Sequence, residues 1–111
     1  MPGYVPGKGD FIAVTLDPQS GHEQKGRRPA LVVSNTLFNR HTGLAIVCPI
    51  TNTYRGFPFH VAVEKGQKVT GFVMVEQVKS IDFHARNATR IGGASDPLLS
   101  DVLSILDACL Y

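Results

Sequence analysis

The sequence has no tryptophan, only two cysteines and two methionines, and no long hydrophobic segment. Its longest apolar stretch, Leu44 to Ile50, is far shorter than the roughly 20 residues that a membrane-spanning helix needs. The segment Met1 to Asp10 contains three glycines and two prolines and lacks the apolar core of a signal peptide. We therefore expect a cytoplasmic protein that does not enter a membrane.

The scarce cysteines and the scattered histidines argue against a metal centre. Two buried free thiols are favoured over a disulfide because Cys48 and Cys109 each lie in an apolar segment, and free thiols fit a reducing cytoplasm. His41, His60 and His84 have no metal-ligand spacing with one another or with a cysteine. We predict no metal and no cofactor, and we interpret His60, in an alternating segment, as a half-exposed surface residue.

The composition that remains is that of one ordinary globular domain covering residues 1–111. With 111 residues and 43% hydrophobic content, the chain can form one core but not two. The net charge of +2 is weak evidence for a polyanionic partner. Lys25, Arg27 and Arg28 lie in one short segment, but the other lysines and arginines are scattered, and scattered charges more often belong to a solvated surface.

The hydrophobic pattern predicts several short strands joined by polar loops. Asn35 to Gly43 is polar and has room for one helical turn, around Thr36 to Asn39. The two long loops are Asp17 to Arg27 and Thr51 to Gly56. The expected strands are Phe11 to Leu16, Pro29 to Ser34, Leu44 to Ile50, Phe57 to Val63, Gly71 to Gln77, and Val78 to Phe83, the last continuing or pairing with the strand before it.

The last part of the chain changes to helical spacing. Asp96 is expected to be the N-cap and Pro97 the first helical residue. Apolar residues then recur at the helical period from Leu98 to Cys109, which predicts an amphipathic helix. The resulting fold class is mainly β: a compact, partly closed antiparallel barrel of about six strands with a C-terminal α-helix.

The first long loop contains the side chains that cleavage of RNA through its own 2′-hydroxyl requires. That reaction needs a base, an acid and a cation that stabilises the charged phosphorane. His22 or Glu23 could act as base or acid, and Arg28, at the start of a strand, could bind the phosphate through two hydrogen bonds. The same residues would also suit a polar surface loop whose charges pair with one another.

The second long loop adds weaker candidates. Thr51 ends a buried strand, where its hydroxyl could bind a phosphate oxygen or could simply satisfy the backbone of the turn. Tyr54 and Phe57 flank Arg55, and aromatic rings beside a cation can stack on bases. A phenylalanine at the start of a strand is also a common core residue.

Taken in order, a set of short motifs resembles the MazF/PemK family of toxin–antitoxin ribonucleases, in particular its PemK/Kid/ChpB-like branch. No single motif is specific. The specific feature is their order: a Gly-x-Glu-Gln loop lies just before Arg-Pro and an apolar strand, and Pro-Ile-Thr follows. The motifs are Gly9-Asp10, Asp17-Pro18, Gly21-His22-Glu23-Gln24, Arg28-Pro29-Ala30-Leu31-Val32-Val33, Pro49-Ile50-Thr51, Arg55-Gly56-Phe57-Pro58-Phe59, Glu76-Gln77-Val78-Lys79-Ser80-Ile81-Asp82 and Ala85-Arg86.

The resemblance implies an SH3-like barrel with a C-terminal helix, and a homodimer. It also implies an mRNA interferase: a sequence-specific, metal-independent endoribonuclease that cleaves single-stranded RNA and leaves 2′,3′-cyclic phosphate and 5′-hydroxyl ends. The implied partner is an antitoxin of the MazE/PemI type, whose acidic, flexible tail would occupy the RNA groove.

By the resemblance, Arg28 is the phosphate-stabilising arginine, Thr51 assists it, and Glu23 or His22 is the general base. Members of the PemK-like branch have an arginine and an aspartate where this chain has Met74 and Glu76, so a mechanism built on that arginine is in doubt here. The expected RNA-binding residues are Gln24, Arg27, Arg55, Phe57, Glu76, Gln77 and Lys79.

Two alternatives belong to other functional classes. The same fold resembles that of gyrase-poisoning toxins, which bind a protein and cleave nothing. The combination of Glu23, Arg28 and Thr51 argues against that function. An SH3-like module that binds RNA but has lost its activity is the third interpretation.

Overall fold

The chain forms an antiparallel sheet and a C-terminal helix in a computed structural model that describes residues 3–15 and 27–111. The helices are α1 (Thr36–Thr42) and α2 (Asp96–Leu110), and a single 3₁₀ turn covers Val75–Gln77. The strands are β1 (Asp10–Thr15), β2 (Arg27–Val32), β3 (Leu44–Thr51), β4 (His60–Ala62), β5 (Phe72–Met74), β6 (Lys79–Asp82) and β7 (Thr89–Gly93).

The longest strand, β3, is the centre of the sheet. One of its edges pairs with β2, while its other edge pairs first with β6 and then with β5. The strand order is β4-β5-β3-β2-β1-β7, with β6 beside β3. Among the described residues β4 and β7 do not pair, so the sheet is not closed. The predicted mainly β antiparallel fold with a C-terminal helix is confirmed.

Successive residues of the strands alternate between two hydrophobic clusters, one on each face of the sheet. The first cluster contains Phe11, Leu31 and Cys48 from the strands, and α2 covers it with Leu98 and Val102. The second cluster lies on the opposite face, and its buried members are Ile12, Val14, Ala30, Val32, Ala45, Val47, Ile81 and Phe83. Because both faces of the central strands are apolar, these strands read as continuous hydrophobic runs in the sequence.

Helix α2 begins one residue earlier than predicted. Ser95 is the N-cap: its hydroxyl oxygen accepts a hydrogen bond from the backbone N–H of Leu98 at 3.2 Å. The same hydroxyl donates to the Glu64 carboxylate at 2.9 Å, and Gln67 accepts from the Ser95 N–H at 3.0 Å. Asp96, the predicted cap, is therefore the first helical residue, and the turn after β4 is tied to the start of α2.

Helix α1 is longer than the single expected turn because both its ends are capped. Asn35 accepts from the Phe38 N–H at 2.8 Å, and Gly43 ends the helix with a left-handed φ of 73°. The buried Asn39 side chain donates to the Pro6 carbonyl at 2.8 Å. A polar side chain thus joins the N-terminal segment to α1.

Two further predictions are wrong in detail, and one strand was not predicted. The segment after Gln77 pairs with the first half of β3 (Leu44 to Val47) and not with β5. Strand β7 was not predicted, although it pairs with β1. Both cysteines are free, as expected, but only Cys48 is buried; Cys109 is exposed.

Candidate functional site

A groove of about 410 Å³ lies where β2, β3, β5 and β6 meet, and it contains two of the four predicted catalytic residues. We call it the first groove. Arg28 enters it from the start of β2 and Thr51 from the end of β3. Lys79 adds a second cation from β6. The apolar wall consists of Val14, Ala30, Val47, Pro49, Ile50, Met74 and Ile81.

Strand alternation places Arg28 in this groove. In the β1–β2 register Arg28 lies opposite Val14, and residues directly opposite each other project from the same face of a sheet. Val14 belongs to the cluster away from α2, so Arg28 projects from that face as well. Its guanidinium is exposed at the edge of an apolar wall, where a bound anion would be partly shielded from water and more strongly attracted.

Thr51 is held by its neighbours in the chain and across the sheet. Its hydroxyl accepts a hydrogen bond from the Thr53 N–H at 3.1 Å and keeps its own proton for another acceptor. Gly71, with a φ of +125°, approaches so closely that a Cβ built on it would lie 2.4 Å from the Thr51 carbonyl oxygen. Backbone packing thus fixes the end of β3.

Arg27 projects from the opposite face, away from Thr51. Its guanidinium donates to the carbonyl of Ala13 at 2.8 Å and to the hydroxyls of Thr15 at 3.2 Å and Thr89 at 2.8 Å. These bonds join β2 to β1 and β7. The prediction that Arg27 acts beside Arg28 as an extra cation therefore needs a second anion site on the other face.

The loop residues His22, Glu23 and Gln24 lie outside the described residues. Their predicted roles stay predictions, and they rest on the sequence. Arg28 is the second residue of β2, the first described strand after them in the sequence.

The remaining predicted RNA-binding residues lie around β4 and β5. Arg55 and Gln77 are exposed. Phe57 is 49% exposed, and its ring lies 5.1 Å from that of His60, centroid to centroid. Glu76, in the 3₁₀ turn, accepts a hydrogen bond from His60 Nε2 at 3.0 Å if that nitrogen carries the proton. Of this group, only Lys79 lines the first groove.

His60 is not the half-exposed residue that the sequence suggested. Its side chain is only 3% exposed, lying between the Phe57 ring and the Glu76 carboxylate. His60 pairs with Met74 across β4 and β5, and Met74 lines the first groove. The Phe57–His60–Glu76 stack therefore adjoins that groove.

Asn52 and Thr53 line the first groove but were not predicted. They directly follow Thr51, so their position in a loop after a buried strand was the available signal. Lys68 and Thr70 line a second cavity, described below. A single sequence offers no signal for them, because short turns rich in polar residues are common on protein surfaces.

Burial raises the pKa of the Cys48 thiol to about 12, and the negative charge of Glu76 adds to this effect. Cys48 is therefore a protonated core residue at neutral pH and not a nucleophile. Within residues 3–15 and 27–111, no group of three histidine, cysteine or acidic side chains has a metal-binding arrangement. In the same part of the chain, the helices are too short or too polar to cross a bilayer.

Known proteins resemble the chain over nearly its whole length. The profile of a family described as the PemK-like, MazF-like toxin of type II toxin–antitoxin systems matches residues 7–110. The endoribonuclease toxin MazF of Escherichia coli K12 is 45% identical over 89 residues, which are 80% of this chain and 79% of that protein. The endoribonuclease toxin ChpB of the same strain is 45% identical over 107 residues, which cover 91% of this chain and 90% of that protein.

Solved structures agree with the sequence comparison. A chain of the crystal structure of MazE–MazF (Form-II) from Deinococcus radiodurans superimposes with a TM-score of 0.90 at 38% identity, and the match covers 97% of each chain. The strand order, the C-terminal helix and the motif around Arg28 are thus found together with a family match over residues 7–110. The chain belongs to the PemK-like, MazF-like family of toxins of type II toxin–antitoxin systems.

Proposed function

We propose that the protein is the toxin of a toxin–antitoxin pair and that it is a sequence-specific endoribonuclease acting on single-stranded mRNA. The names of its relatives, endoribonuclease toxins MazF, ChpB and PemK, support this activity. The observation that carries the proposal is the convergence of Arg28 and Thr51, from two different strands, in one groove with Lys79 at its side.

Cleavage proceeds by attack of an RNA 2′-hydroxyl on the adjacent phosphorus. The bond from phosphorus to the 5′-oxygen breaks, which leaves a 2′,3′-cyclic phosphate and a 5′-hydroxyl. Arg28 donates hydrogen bonds to the non-bridging oxygens as their charge grows, and the Thr51 hydroxyl donates another. Glu23 or His22 takes the proton of the 2′-hydroxyl, and a protonated loop side chain returns a proton to the leaving oxygen. No step of this mechanism uses a metal ion.

The RNA is bound by side chains outside the cleavage step. Phe57 is about half exposed and can stack on a base, and its contact with His60 holds the ring in place. Arg55 and Lys79 attract the phosphate backbone. Gln24, Gln77 and Glu76 supply hydrogen-bonding groups for the bases, and Arg27 supplies charge on the other face.

The proposed partner protein is an antitoxin of the MazE/PemI type. Solved relatives occur as MazE–MazF complexes and as an endoribonuclease with its cognate antitoxin. An acidic, flexible segment of the antitoxin would compete with RNA for Arg28 and Lys79. We further propose that the toxin is a homodimer and that it acts in the cytoplasm, where mRNA is translated.

The decisive experiment is cleavage of a long RNA by the purified protein in excess chelator. Cut sites are mapped by primer extension and the product ends are analysed chemically. We expect cuts at a short recurring sequence, with cyclic phosphate and 5′-hydroxyl ends, and no cuts with Arg28→Ala. Intact RNA together with inhibition of DNA supercoiling would instead identify a gyrase poison, and binding of the RNA without cleavage would identify an inactive module.

The choice between His22 and Glu23 depends on pH–rate profiles. If His22 titrates during catalysis, the cleavage rate has a limb between about pH 5 and 8 that His22→Ala removes. If Glu23 is the base, Glu23→Gln abolishes cleavage while the limb is unaffected by His22→Ala. Each variant is measured in single turnover on the same RNA.

A further inference from the structure

A second groove, of about 270 Å³, lies at the same end of the sheet as the first but on its other face. Arg27 and Lys68 are its cations on this face, Thr70 adds a hydroxyl, and Arg28 lies where this groove borders the first. Ala13 and Ile91 belong to its apolar wall. Acidic side chains are absent from the described residues that line it. Such a groove suits an anion that carries an apolar part.

Two of these cations are held in position before any ligand arrives. Arg27 is fixed by its three hydrogen bonds to β1 and β7. The aliphatic stem of Lys68 packs on Gly92, where a Cβ would lie only 2.9 Å from Lys68 Cγ. Gly92 therefore allows the lysine stem to lie flat against β7, which limits the directions that its ammonium group can take. Prior ordering of the cations lowers the entropic cost of binding an anion.

The two grooves share part of their lining. Arg28, Pro29 and Asn52 line both of them. A strand of RNA whose scissile phosphate lies at Arg28 can therefore cross Pro29 and place a flanking nucleotide in the second groove. There the phosphate would meet Lys68 and Arg27, while its sugar or base would contact the apolar wall.

We propose that the second groove binds a phosphate of the RNA that flanks the cleaved one, with Lys68 as its principal contact. The proposal rests on the proposed endoribonuclease function. Single-stranded RNA is favoured over an acidic peptide because the arginine shared by both grooves contacts the substrate in the cleavage step. Lys68 thus contributes to the affinity for RNA and to its dependence on salt.

The test uses the full-length protein and a fluorescent 12-nucleotide RNA whose 2′-hydroxyl is replaced by hydrogen at the mapped cut site. Its Kd is measured against salt concentration for the wild type, for Lys68→Gln and for Lys65→Gln. Lys65 is the matched control, because it is an exposed lysine of the same turn that does not line the groove. Glutamine retains most of the stem that packs on Gly92.

For Lys68→Gln we expect a Kd that is about 3-fold to 10-fold higher at 0.1 M salt. The slope of log K against log salt should fall by about 0.7, the value for one phosphate of a single strand. Lys65→Gln should match the wild type. An unchanged slope in Lys68→Gln would overturn the proposal even if the wild type cleaves RNA, and so would equal losses in both variants. Wild-type protein that neither binds nor cleaves RNA would instead refute the underlying function.

Discussion

Arg28 lies in the first groove because successive side chains of β2 point to opposite faces of the sheet. Thr51 lies in the same groove because β3 runs beside β2. The sequence motif predicted both residues, and their convergence follows from the register between neighbouring strands. The sequence did not predict that Arg27 projects from the other face. Its hydrogen bonds to Thr15 and Thr89 depend on a pairing with β7 that the hydrophobic pattern does not reveal.

Replacing Arg28 with alanine tests its proposed catalytic role directly. We expect the single-turnover cleavage rate to fall by about 100-fold to 1,000-fold, which is about 3–4 kcal/mol for the loss of one preorganised charge donor. Arg40→Ala is the control, because Arg40 is an exposed arginine on α1. A rate within a factor of three of the wild type would remove Arg28 from the mechanism.

The two cysteines should differ sharply in reactivity. The thiolate is the reacting form, and burial raises the pKa of Cys48 to about 12, so this thiol stays protonated as long as the pH remains below that value. Cys109 is exposed. Iodoacetamide at pH 8 should add one group, on Cys109, to the native protein and two groups to the denatured protein, as measured by mass spectrometry. Rapid labelling of Cys48 in the native protein would contradict its burial.

At the scale of elements, the end of β3 depends on the absence of a side chain at Gly71. Alanine there would combine a left-handed backbone with a clash against the Thr51 carbonyl. We expect Gly71→Ala to lower the free energy of unfolding by more than the ~1–2 kcal/mol of backbone strain alone. Cleavage by the folded variant should fall about 10-fold or more, because Thr51 moves.

Gly66→Ala is the control for this prediction. Gly66 also has a left-handed φ, of 92°, but its Cβ would meet no atom within 4 Å. It should show the backbone strain without the loss of cleavage. Urea unfolding and single-turnover cleavage measure the two effects. Equal effects of the two substitutions on cleavage would show that Gly71 has no particular role at the site.

The sequence predicted well the elements that have a clear hydrophobic periodicity. It did not predict the elements that depend on pairing between distant strands. Leu44 to Ile50 reads as a strand because both its faces are buried. In contrast, alternation in Lys79–Asp82 shows which face is buried but not that β3 is the partner. Strand β7 was missed because Gly92 and Gly93 weaken its pattern, and a register shift between Phe11 and Ile12 interrupts its ladder with β1.

The predicted start of α2 differs from the observed start by one residue for a similar reason. Ser95 and Asp96 both have side chains that can cap a helix, so composition alone does not choose between them. In the structure Ser95 is the N-cap, and its hydroxyl also donates a hydrogen bond to Glu64 in the turn after β4. A contact between distant parts of the chain thus decides a local boundary.

At the scale of the whole molecule, the proposed homodimer is open to direct measurement. It rests on the family resemblance. We expect a sedimentation mass near twice the 12.0 kDa of one chain at micromolar concentration. A mass near that of a single chain, under conditions in which the protein cleaves RNA, would contradict the dimer.

The arrangement of Arg27 and Arg28 also bears on how such a toxin can change over generations. Neighbouring codons specify side chains on opposite surfaces of one strand. Under the roles proposed above, a mutation in the first codon would alter the affinity for RNA and leave the proposed catalytic arginine in place. Selection would then act separately on RNA affinity, through the codon of Arg27, and on the cleavage rate, through the codon of Arg28.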